Sequence, residues 1–397
     1  MAFDISDFDE IRPYEPYEMQ QAFDEMLNDR QFSLVLKGFA PWLPKSVRNG
    51  LLRLAFKGVK SPLDFQKRFM KPVVKYIIWK YTDGCTFEDK AIHALSSAYD
   101  QRYTFVSNHR DIVLDSAFLD LMLVNEGYPT TVEIGMGDNL LIYPWIKRLV
   151  RMNKAFTVRS GLTAHEMVRS SQLMSSYIHF AVTQKRENIW IAQREGRAKD
   201  SSDHTQEAVL KMLAMGGEGS LTDKLRDINI TPLTISYEFD PCDYLKAQEF
   251  QQKRDNPNFK KSRQDDLDNM KTGIFGYKGR VHYHCGTPIN QWIDKLRELS
   301  ARDFYTELCR RIDREIYAGY RIYPCNYIAL DELEDRATYA DRYTAKDKQF
   351  FEQYLKRQLE KIQLPNQDEA FLRERILTMY ANPLKNYLAV NSKELGE

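Results

Sequence analysis

The stretch SNHRDIVLD, residues 107–115, places one histidine beside an arginine and two aspartates, directly after the strand-like run RYTFV. Neutral imidazole titrates close to neutral pH, so His109 is suited to take a proton from a hydroxyl group. A carboxylate on the other ring nitrogen would hold the tautomer that this step requires, and Asp111 and Asp115 are both candidates. The alternative is that Asn108 and Asp111 only begin a helix and that His109 is a polar surface residue.

The elements that would position His109 follow from an alternation of strand-like and helix-like windows after residue 102. Such alternation predicts an α/β fold in which helices flank a largely parallel sheet. A histidine at a strand-to-helix junction of this fold is held by the sheet and lies near the free amide groups of a helix start. The predicted strands are 102–107, 130–135, 155–159, 188–193, 230–239 and 280–285, and the predicted helices are 116–125, 143–152, 164–184 and 204–215.

Charge is distributed unevenly along the chain. Residues 1–30 contain nine Asp/Glu and two Arg, whereas residues 37–80 contain eleven Lys/Arg and one Asp. Over residues 32–81 the cations flank apolar and aromatic side chains in helical windows. Such a segment either lies in a membrane interface near anionic lipid heads or forms a core-packing helical hairpin with a basic face.

The predicted regions are an acidic head and basic amphipathic helical region over 1–95, an α/β domain over 96–290 and a C-terminal helical region over 291–397. Residues 246–279 are highly polar, and we expect an exposed helical excursion or loop there.

The composition narrows the class of protein. A chain of 397 residues that is 43% hydrophobic and 28% charged is typical of a globular protein, and a net charge of +1 gives no indication of a nucleic-acid partner. The five cysteines are widely scattered, which fits a reducing compartment and argues against a structural zinc site. We find neither a secretory signal nor a run of about 18 apolar residues, and therefore expect a cytoplasmic protein.

Four further stretches follow SNHRDIVLD: GDNLLIYPWIKRLVRMNKAFTVRSG, IWIAQREGRAKD, ITPLTISYEFDP and VHYHCGTPI. In their order and spacing they resemble the glycerolipid acyltransferase family, and most nearly its glycerol-3-phosphate and dihydroxyacetone-phosphate acyltransferase branch. That family has a His-x4-Asp dyad, a Gly-x-Asn-Leu…Pro…Ala-Phe-x-x-Arg stretch, a Glu-Gly-x-Arg block and a Val/Ile-Pro-x-x-Ile-x-Tyr-Glu strand. The resemblance covers roughly residues 100–290, which would be the catalytic domain.

The resemblance implies roles for individual residues. His109 matches the general base of the family. Arg159 would bind the phosphate of the acyl acceptor, because a guanidinium fork suits phosphate oxygens. The substrate- or phosphate-binding residues that the resemblance implies are Asn139, Arg159, Glu195, Gly196 and Arg197.

The first departure from the family pattern concerns the acid of the dyad. Asp115 stands one position later than the family's aspartate, and Asp111 three positions earlier. The apolar helix-like run that follows favours a one-residue insertion in the turn, and hence Asp115. Six residues of an undistorted helix advance by about 600°, so the pairing requires His109 to lie in the turn before the helix, or a local bulge. Asp111 is the rival.

The second departure concerns the third block. Arg197 follows Gly196 directly, whereas the family places one residue between the glycine and the arginine. Either the loop is one residue shorter, or Arg194, Arg197 and Lys199 share the task of binding a phosphate.

One further pair of residues has the chemistry of metal ligands. His282 and His284 lie two apart on a predicted strand and therefore face the same side. No carboxylate or cysteine pattern in the sequence completes a site. We interpret both as core or surface histidines, and predict no metal and no cofactor.

The resemblance implies a peripheral membrane acyltransferase of phospholipid biosynthesis, acting on the inner face of the cell membrane. It would move a fatty acyl group from acyl-CoA or acyl carrier protein to a hydroxyl of glycerol-3-phosphate, lysophosphatidate or a related lipid. His109 would be the base and Asp115 the acid that orients it. The alternatives are a non-catalytic lipid-surface binding protein on a degenerate acyltransferase fold, and a thioester or ester hydrolase that uses the same base on water.

Overall fold

A seven-stranded sheet forms the centre of the computed structural model, which describes residues 3–95 and 97–391. Its strand order is β1-β7-β6-β2-β5-β3-β4. All neighbouring strands are parallel except β6 and β7, so the predicted α/β fold with a largely parallel sheet is confirmed. The strands are β1 Cys85–Glu88, β2 Thr104–Ser107, β3 Val132–Gly137, β4 Ala155–Val158, β5 Asn188–Ala192, β6 Ile230–Tyr237 and β7 Val281–Cys285.

The helices precede the sheet, connect its strands and follow it. Those before the sheet and at its first edge are α1 Met19–Asn28, α2 Arg30–Phe39, α3 Lys45–Phe56, α4 Pro62–Asp64, α5 Lys71–Tyr81 and α6 Lys90–His93. Those between the strands are α7 Leu114–Asn125, α8 Pro144–Met152, α9 Ala164–Thr183, α10 Glu207–Leu213, α11 Leu221–Asp227, α12 Asp243–Asp255 and α13 Arg263–Phe275. The C-terminal helices are α14 Ala301–Ala318, α15 Pro324–Leu333, α16 Ala345–Leu359 and α17 Glu369–Asn391.

The two faces of the sheet bury different sets of apolar side chains, because successive residues of a strand point to opposite faces. On β2, Phe105 belongs to a core cluster that includes Leu114 and Phe118 of α7. Its neighbour Val106 belongs to a second cluster with Tyr177 of α9 and residues of α14. The alternation therefore assigns successive side chains of β2 to the α7 face and to the α9 and α14 face of the sheet.

Both flanking regions pack onto the α/β domain. Phe8 of the acidic head is fully buried, with its ring centroid 5.2 Å from that of Tyr177. At the other end of the chain, Ile312 and Ile316 of α14 lie in the same cluster as Tyr177. The division at residues 95 and 290 stays a prediction.

The polar segment 246–279 is helical, but it is more buried than its composition indicates. Lys246, Glu249 and Gln251 of α12 are all buried. Each has a partner: Lys246 pairs with Asp240, Glu249 pairs with Lys199, and the Gln251 side-chain amide donates to the Asn366 carbonyl over 2.6 Å. The expectation of an exposed excursion is therefore wrong for residues 246–251, because pairing offsets the cost of burying polar groups, whereas residues 253–258 are exposed.

No helix within residues 3–95 and 97–391 combines the length and the apolarity that crossing a membrane requires.

Candidate active site

The turn between β2 and α7 carries the candidate base. β2 ends at Ser107 and α7 begins at Leu114, so the whole stretch NHRDIV lies between a strand and a helix. Asn108 continues the sheet pairing with its side chain. Its amide nitrogen donates to the Ile235 carbonyl over 2.9 Å, and its amide oxygen accepts from the Ile235 N–H over 2.8 Å. These two bonds fix the start of the turn on β6.

His109 and Asp115 lie in contact across this turn. Nδ1 of His109 is 2.8 Å from Oδ2 of Asp115. The same carboxylate oxygen accepts from the backbone N–H groups of Arg110, over 2.7 Å, and Asp111, over 3.1 Å. Three donors therefore converge on one oxygen and hold it against the imidazole. His109 lies before the helix and Asp115 in its first turn, which is the geometry that a six-residue separation requires.

The environment of His109 leaves one ring nitrogen available for chemistry. With Nδ1–H donating to Asp115, Nε2 carries the lone pair that can accept a proton. The indole of Trp190 lies edge-on to the imidazole at a centroid distance of 5.4 Å, and its Nε1–H donates to the Ser107 hydroxyl over 3.0 Å. Asp115 is fully buried, whereas 13% of the His109 side chain is exposed. The base can therefore be reached while its partner is shielded from water.

Asp111, the rival acid, lies in the turn just before α7. Its Oδ1 accepts from the backbone N–H groups of Val113 and Leu114, each over 2.8 Å, which satisfies two donors at the helix start. Burial, and then the charge of Asp115, raises the pKa of Asp111. The structure thus brings Asp115 to the His109 ring and places Asp111 at the helix terminus.

The other predicted site residues follow the ends of neighbouring strands. β3, β4 and β5 run parallel to one another, and β5 runs parallel to β2, so their carboxyl ends share one edge of the sheet. Asn139 follows β3, Arg159 follows β4, and residues 195–197 follow β5. In open α/β sheets, ligands bind outside this edge.

Arg159 lies far from the dyad along that edge. β4 is three strands away from β2, which is about 14 Å at the usual strand spacing of ~4.8 Å. Nη2 of Arg159 is 2.8 Å from Oε2 of Glu10, and both side chains are exposed. Asn139 is also exposed, in a single helical turn after β3.

The loop after β5 lies beside the dyad. Ser107 and Ala192 are in register on β2 and β5, and the Gln193 N–H donates to the Ser107 carbonyl over 2.8 Å. Arg194 lies two residues beyond the end of β5, and His109 lies two residues beyond the end of β2. The two residues therefore extend side by side from neighbouring strands. Nε of Arg194 is buried and has no hydrogen-bond partner among the residues that the structure describes.

The remaining residues of that loop face other elements. Nη2 of Arg197 donates to the Asn269 side chain of α13 over 3.0 Å. Glu195 is exposed, with its backbone N–H donating to the Gln206 side chain over 2.8 Å. Gly196 has a φ of +64°, a conformation that favours glycine. Of the loop's cations, Arg194 is thus better placed than Arg197 to meet a ligand beside His109.

Two supporting residues were not predicted. Trp190 packs edge-on against the ring of His109, and the hydroxyl of Tyr283 donates to the Asp115 backbone carbonyl over 2.9 Å. Trp190 lies on a predicted strand, but only the register of β5 with β2 shows that it meets His109. Tyr283 lies on β7, and nothing in its sequence context indicates a contact with α7.

Comparisons with known proteins find similarity among solved structures. No family model matches the chain, and no curated protein matches it. The chain is similar to the crystal structure of the 1-acyl-sn-glycerophosphate (LPA) acyltransferase PlsC from Thermotoga maritima, with 13% sequence identity and a TM-score of 0.38. The match covers 69% of this chain and 89% of that chain.

Proposed function

We propose that this protein is an acyltransferase that moves a fatty acyl group from a thioester donor to a hydroxyl of a glycerolipid acceptor. The observation that carries the proposal is the 2.8 Å contact between His109 Nδ1 and Asp115 Oδ2, which leaves Nε2 free to act as a base at the carboxyl edge of the sheet. The order of the sequence blocks around that edge favours acyl transfer over the other reactions of a His–Asp pair.

The reaction begins when Nε2 of His109 takes the proton of the acceptor hydroxyl. The oxygen attacks the thioester carbonyl carbon and gives a tetrahedral oxyanion, which nearby backbone amides or cations stabilise. Collapse of this intermediate breaks the carbon–sulfur bond and forms the ester. The thiolate leaves and takes the proton from the imidazolium, so His109 returns to its starting state. Asp115 stabilises the imidazolium between these two steps.

The acceptor in this proposal bears a phosphate, as in glycerol-3-phosphate or lysophosphatidate. Arg194 is the cation that we assign to a substrate phosphate near the dyad, because its guanidinium Nε is buried without a partner in the loop next to His109. Arg159 would bind a phosphate farther along the edge of the sheet. In doing so it would break its exposed ion pair with Glu10. The glycerol-3-phosphate and dihydroxyacetone-phosphate branch stays a prediction, as does the choice between acyl-CoA and acyl carrier protein.

The proposal includes docking on an anionic membrane surface, on the cytoplasmic face of the cell membrane. Helices α2, α3 and α5 carry exposed apolar side chains among lysines and arginines. Val47, Leu51 and Leu54 of α3 form one exposed stripe at helical spacing. Trp42 and Trp79 are each 76% exposed, which is unusual for tryptophan in contact with water alone. We call this the docking surface: Leu34, Val35, Trp42, Val47, Leu51, Leu54, Val73, Tyr76 and Trp79.

The docking surface is joined firmly to the catalytic domain. Phe56 on the inner side of α3 stacks on Phe23 at a centroid distance of 3.8 Å, in a cluster that includes Met152 of α8. Val74 and Ile77 of α5 pack in the same cluster as Leu114, at the start of the helix that carries Asp115. A lipid surface bound by α3 and α5 would therefore lie close to the elements that hold the dyad.

The experiment that tests this function is product analysis by mass spectrometry. The purified protein is incubated with an acyl-CoA or an acyl carrier protein thioester, with and without a panel of phosphate-bearing glycerol and lysolipid acceptors. The proposal predicts acylated acceptor, formed only when an acceptor is present. Free fatty acid formed equally with and without acceptor would instead identify a hydrolase. Thermal stabilisation by lysophospholipid with no turnover would identify a lipid-binding protein.

A further inference from the structure

A second cluster of chemically active side chains lies at the β1 edge of the sheet. It consists of Glu88 on β1 and of His282 and His284 on β7. One potential ligand atom from each residue lies within 4.8 Å of the others. Two nitrogen ligands and one carboxylate oxygen are a common donor set for zinc, with a further position left for water.

The strand register explains why these residues meet. β1 and β7 are parallel, with Thr86 opposite His282 and Glu88 opposite His284. Side chains two apart on a strand point to the same face, so both imidazoles and the carboxylate share one face. Tyr283 between them points to the other face, where its hydroxyl meets the Asp115 backbone. The sheet therefore separates this cluster from the His109–Asp115 pair.

A hydrogen bond at Nδ1 of His282 leaves its Nε2 as the nitrogen that can bind a metal ion. Its Nδ1 is 2.8 Å from the hydroxyl oxygen of Thr86, and that hydroxyl in turn donates to the Val281 carbonyl over 3.3 Å. When the hydroxyl proton points to the Val281 carbonyl, Nδ1–H is the donor to Thr86. This tautomer leaves the Nε2 lone pair for a metal, and such a hydrogen bond on the other nitrogen is typical of metal-binding histidines.

The carboxylate of Glu88 can be released for an ion at little cost. Its current partner is Lys90, with 3.0 Å between Nζ and Oε1, and the Lys90 side chain is 87% exposed. Exposed pairs of this kind contribute about 0–1 kcal/mol. Metal–ligand bonds of about 2.0–2.1 Å keep two ligand atoms within about 4 Å of each other, so modest side-chain rotations would close the site.

We propose that Glu88, His282 and His284 bind a divalent transition metal ion of the Zn²⁺ class. The ion would link the edge strand β1 to β7. Because β1 follows α5 with only a short turn between them, the same link would anchor the docking surface to the sheet. The site does not depend on the proposed acyl transfer, since it lies on the opposite face from His109.

The experiment uses the full chain after dialysis against EDTA. Titration with Co²⁺, followed by its visible ligand-field absorption, should show saturation at one equivalent. Addition of Zn²⁺ should abolish that absorption and raise the Tm of the apo-protein by at least about 2 °C. Absence of a saturable Co²⁺ spectrum in the wild-type protein, or an unchanged Tm with Zn²⁺, overturns the proposal.

Variants locate the ion. Glu88→Gln and His284→Ala should each weaken Co²⁺ binding at least tenfold and remove the Zn²⁺-dependent rise in Tm, while His165→Ala, at an exposed histidine of α9, should change neither. Glu88→Gln keeps the size of the side chain, and circular dichroism of each apo-variant checks the fold. If His284→Ala does not fold, Glu88→Gln alone decides. Wild-type binding in Glu88→Gln overturns the assignment, and loss of binding in His109→Ala places the ion at the dyad instead.

Discussion

The imidazole of His109 and the carboxylate of Asp115 are held together across the turn from β2 to α7, with 2.8 Å between Nδ1 and Oδ2. Two backbone N–H groups of the same turn donate to that Oδ2, so the carboxylate is fixed before any substrate arrives. This preorganisation separates a dyad from a histidine and an aspartate that merely lie near each other.

The first prediction concerns the two aspartates. Asp115→Asn should lower kcat for acyl transfer by about 10²–10⁴-fold, because a neutral amide neither stabilises the imidazolium nor enforces its tautomer. Asp111→Asn keeps an acceptor for the helix start, and should lower kcat far less while costing about 1 kcal/mol of stability. Steady-state kinetics and thermal unfolding of both variants measure these effects. An inactive Asp111→Asn beside an active Asp115→Asn would reverse the assignment.

The second prediction concerns the cations after β5. Arg194→Gln should raise the KM for a phosphate-bearing substrate by about 10–100-fold, the effect of losing one charged hydrogen bond of about 1.5–3 kcal/mol, and should leave the Tm nearly unchanged. Arg197→Gln is the matched control. Because Arg197 donates to Asn269, its loss should lower the Tm and change KM little. KM and Tm measured on both variants test the assignment, and the opposite ranking in KM would refute it.

The third prediction concerns membrane binding. Replacing Trp42 and Trp79 together by serine should reduce binding to vesicles of anionic phospholipid by tenfold or more, on the order of 1 kcal/mol or more for each lost interfacial side chain. The control variant carries Tyr17→Ser and Leu299→Ser, which remove exposed apolar side chains outside the docking surface. Vesicle flotation compares the two. Equal binding of both double variants would contradict the assignment of Trp42 and Trp79 to the docking surface.

The fourth prediction concerns pH. Burial raises the pKa of Asp120 on α7 to about 7, although its carboxylate accepts from the Val132 N–H over 3.0 Å. The folded protein therefore keeps this proton to a higher pH than the unfolded chain, and stability is lost as pH rises from about 4 through about 7. Asp120→Asn removes the titration. The free energy of unfolding of the variant relative to wild type should thus increase by up to about 4 kcal/mol between pH 4 and pH 8.

Denaturant unfolding at several pH values measures that difference. The matched control is Asp268→Asn, an exposed aspartate on α13, for which the difference from wild type should stay constant. A constant difference for Asp120→Asn as well would show that the buried carboxylate has an ordinary pKa.

Much of the sheet could be predicted from sequence, because its strands are short apolar runs between helical windows. Residues 102–107 and 188–193 contain β2 and β5, and His109 lies two residues after the end of β2. β1 was missed because its residues, Cys-Thr-Phe-Glu, form no apolar run and lie at the edge of the sheet, where none of them is fully buried. Because β1 was not predicted, nothing in the sequence indicated that the Glu88 carboxylate lies beside His282 and His284.

The roles of individual side chains depended on contacts that sequence does not contain. Arg194 and Arg197 have the same chemistry and lie three residues apart, and the difference between them is that Arg197 meets Asn269 of a distant helix. Sequence spacing left Asp111 and Asp115 as possible partners of His109. Because α7 begins at Leu114, Asp115 lies in its first turn and meets the imidazole ring.

The most direct test of the proposed chemistry is the rate of acyl transfer by His109→Ala, measured with the acceptor on which the wild-type protein is most active. The expected result is a loss of about 10³-fold or more in a variant that circular dichroism shows to be folded, because no other group in the turn replaces Nε2 as the base. His165→Ala, the same substitution at an exposed histidine, should transfer at the wild-type rate. Transfer by His109→Ala within about threefold of wild type would contradict the mechanism.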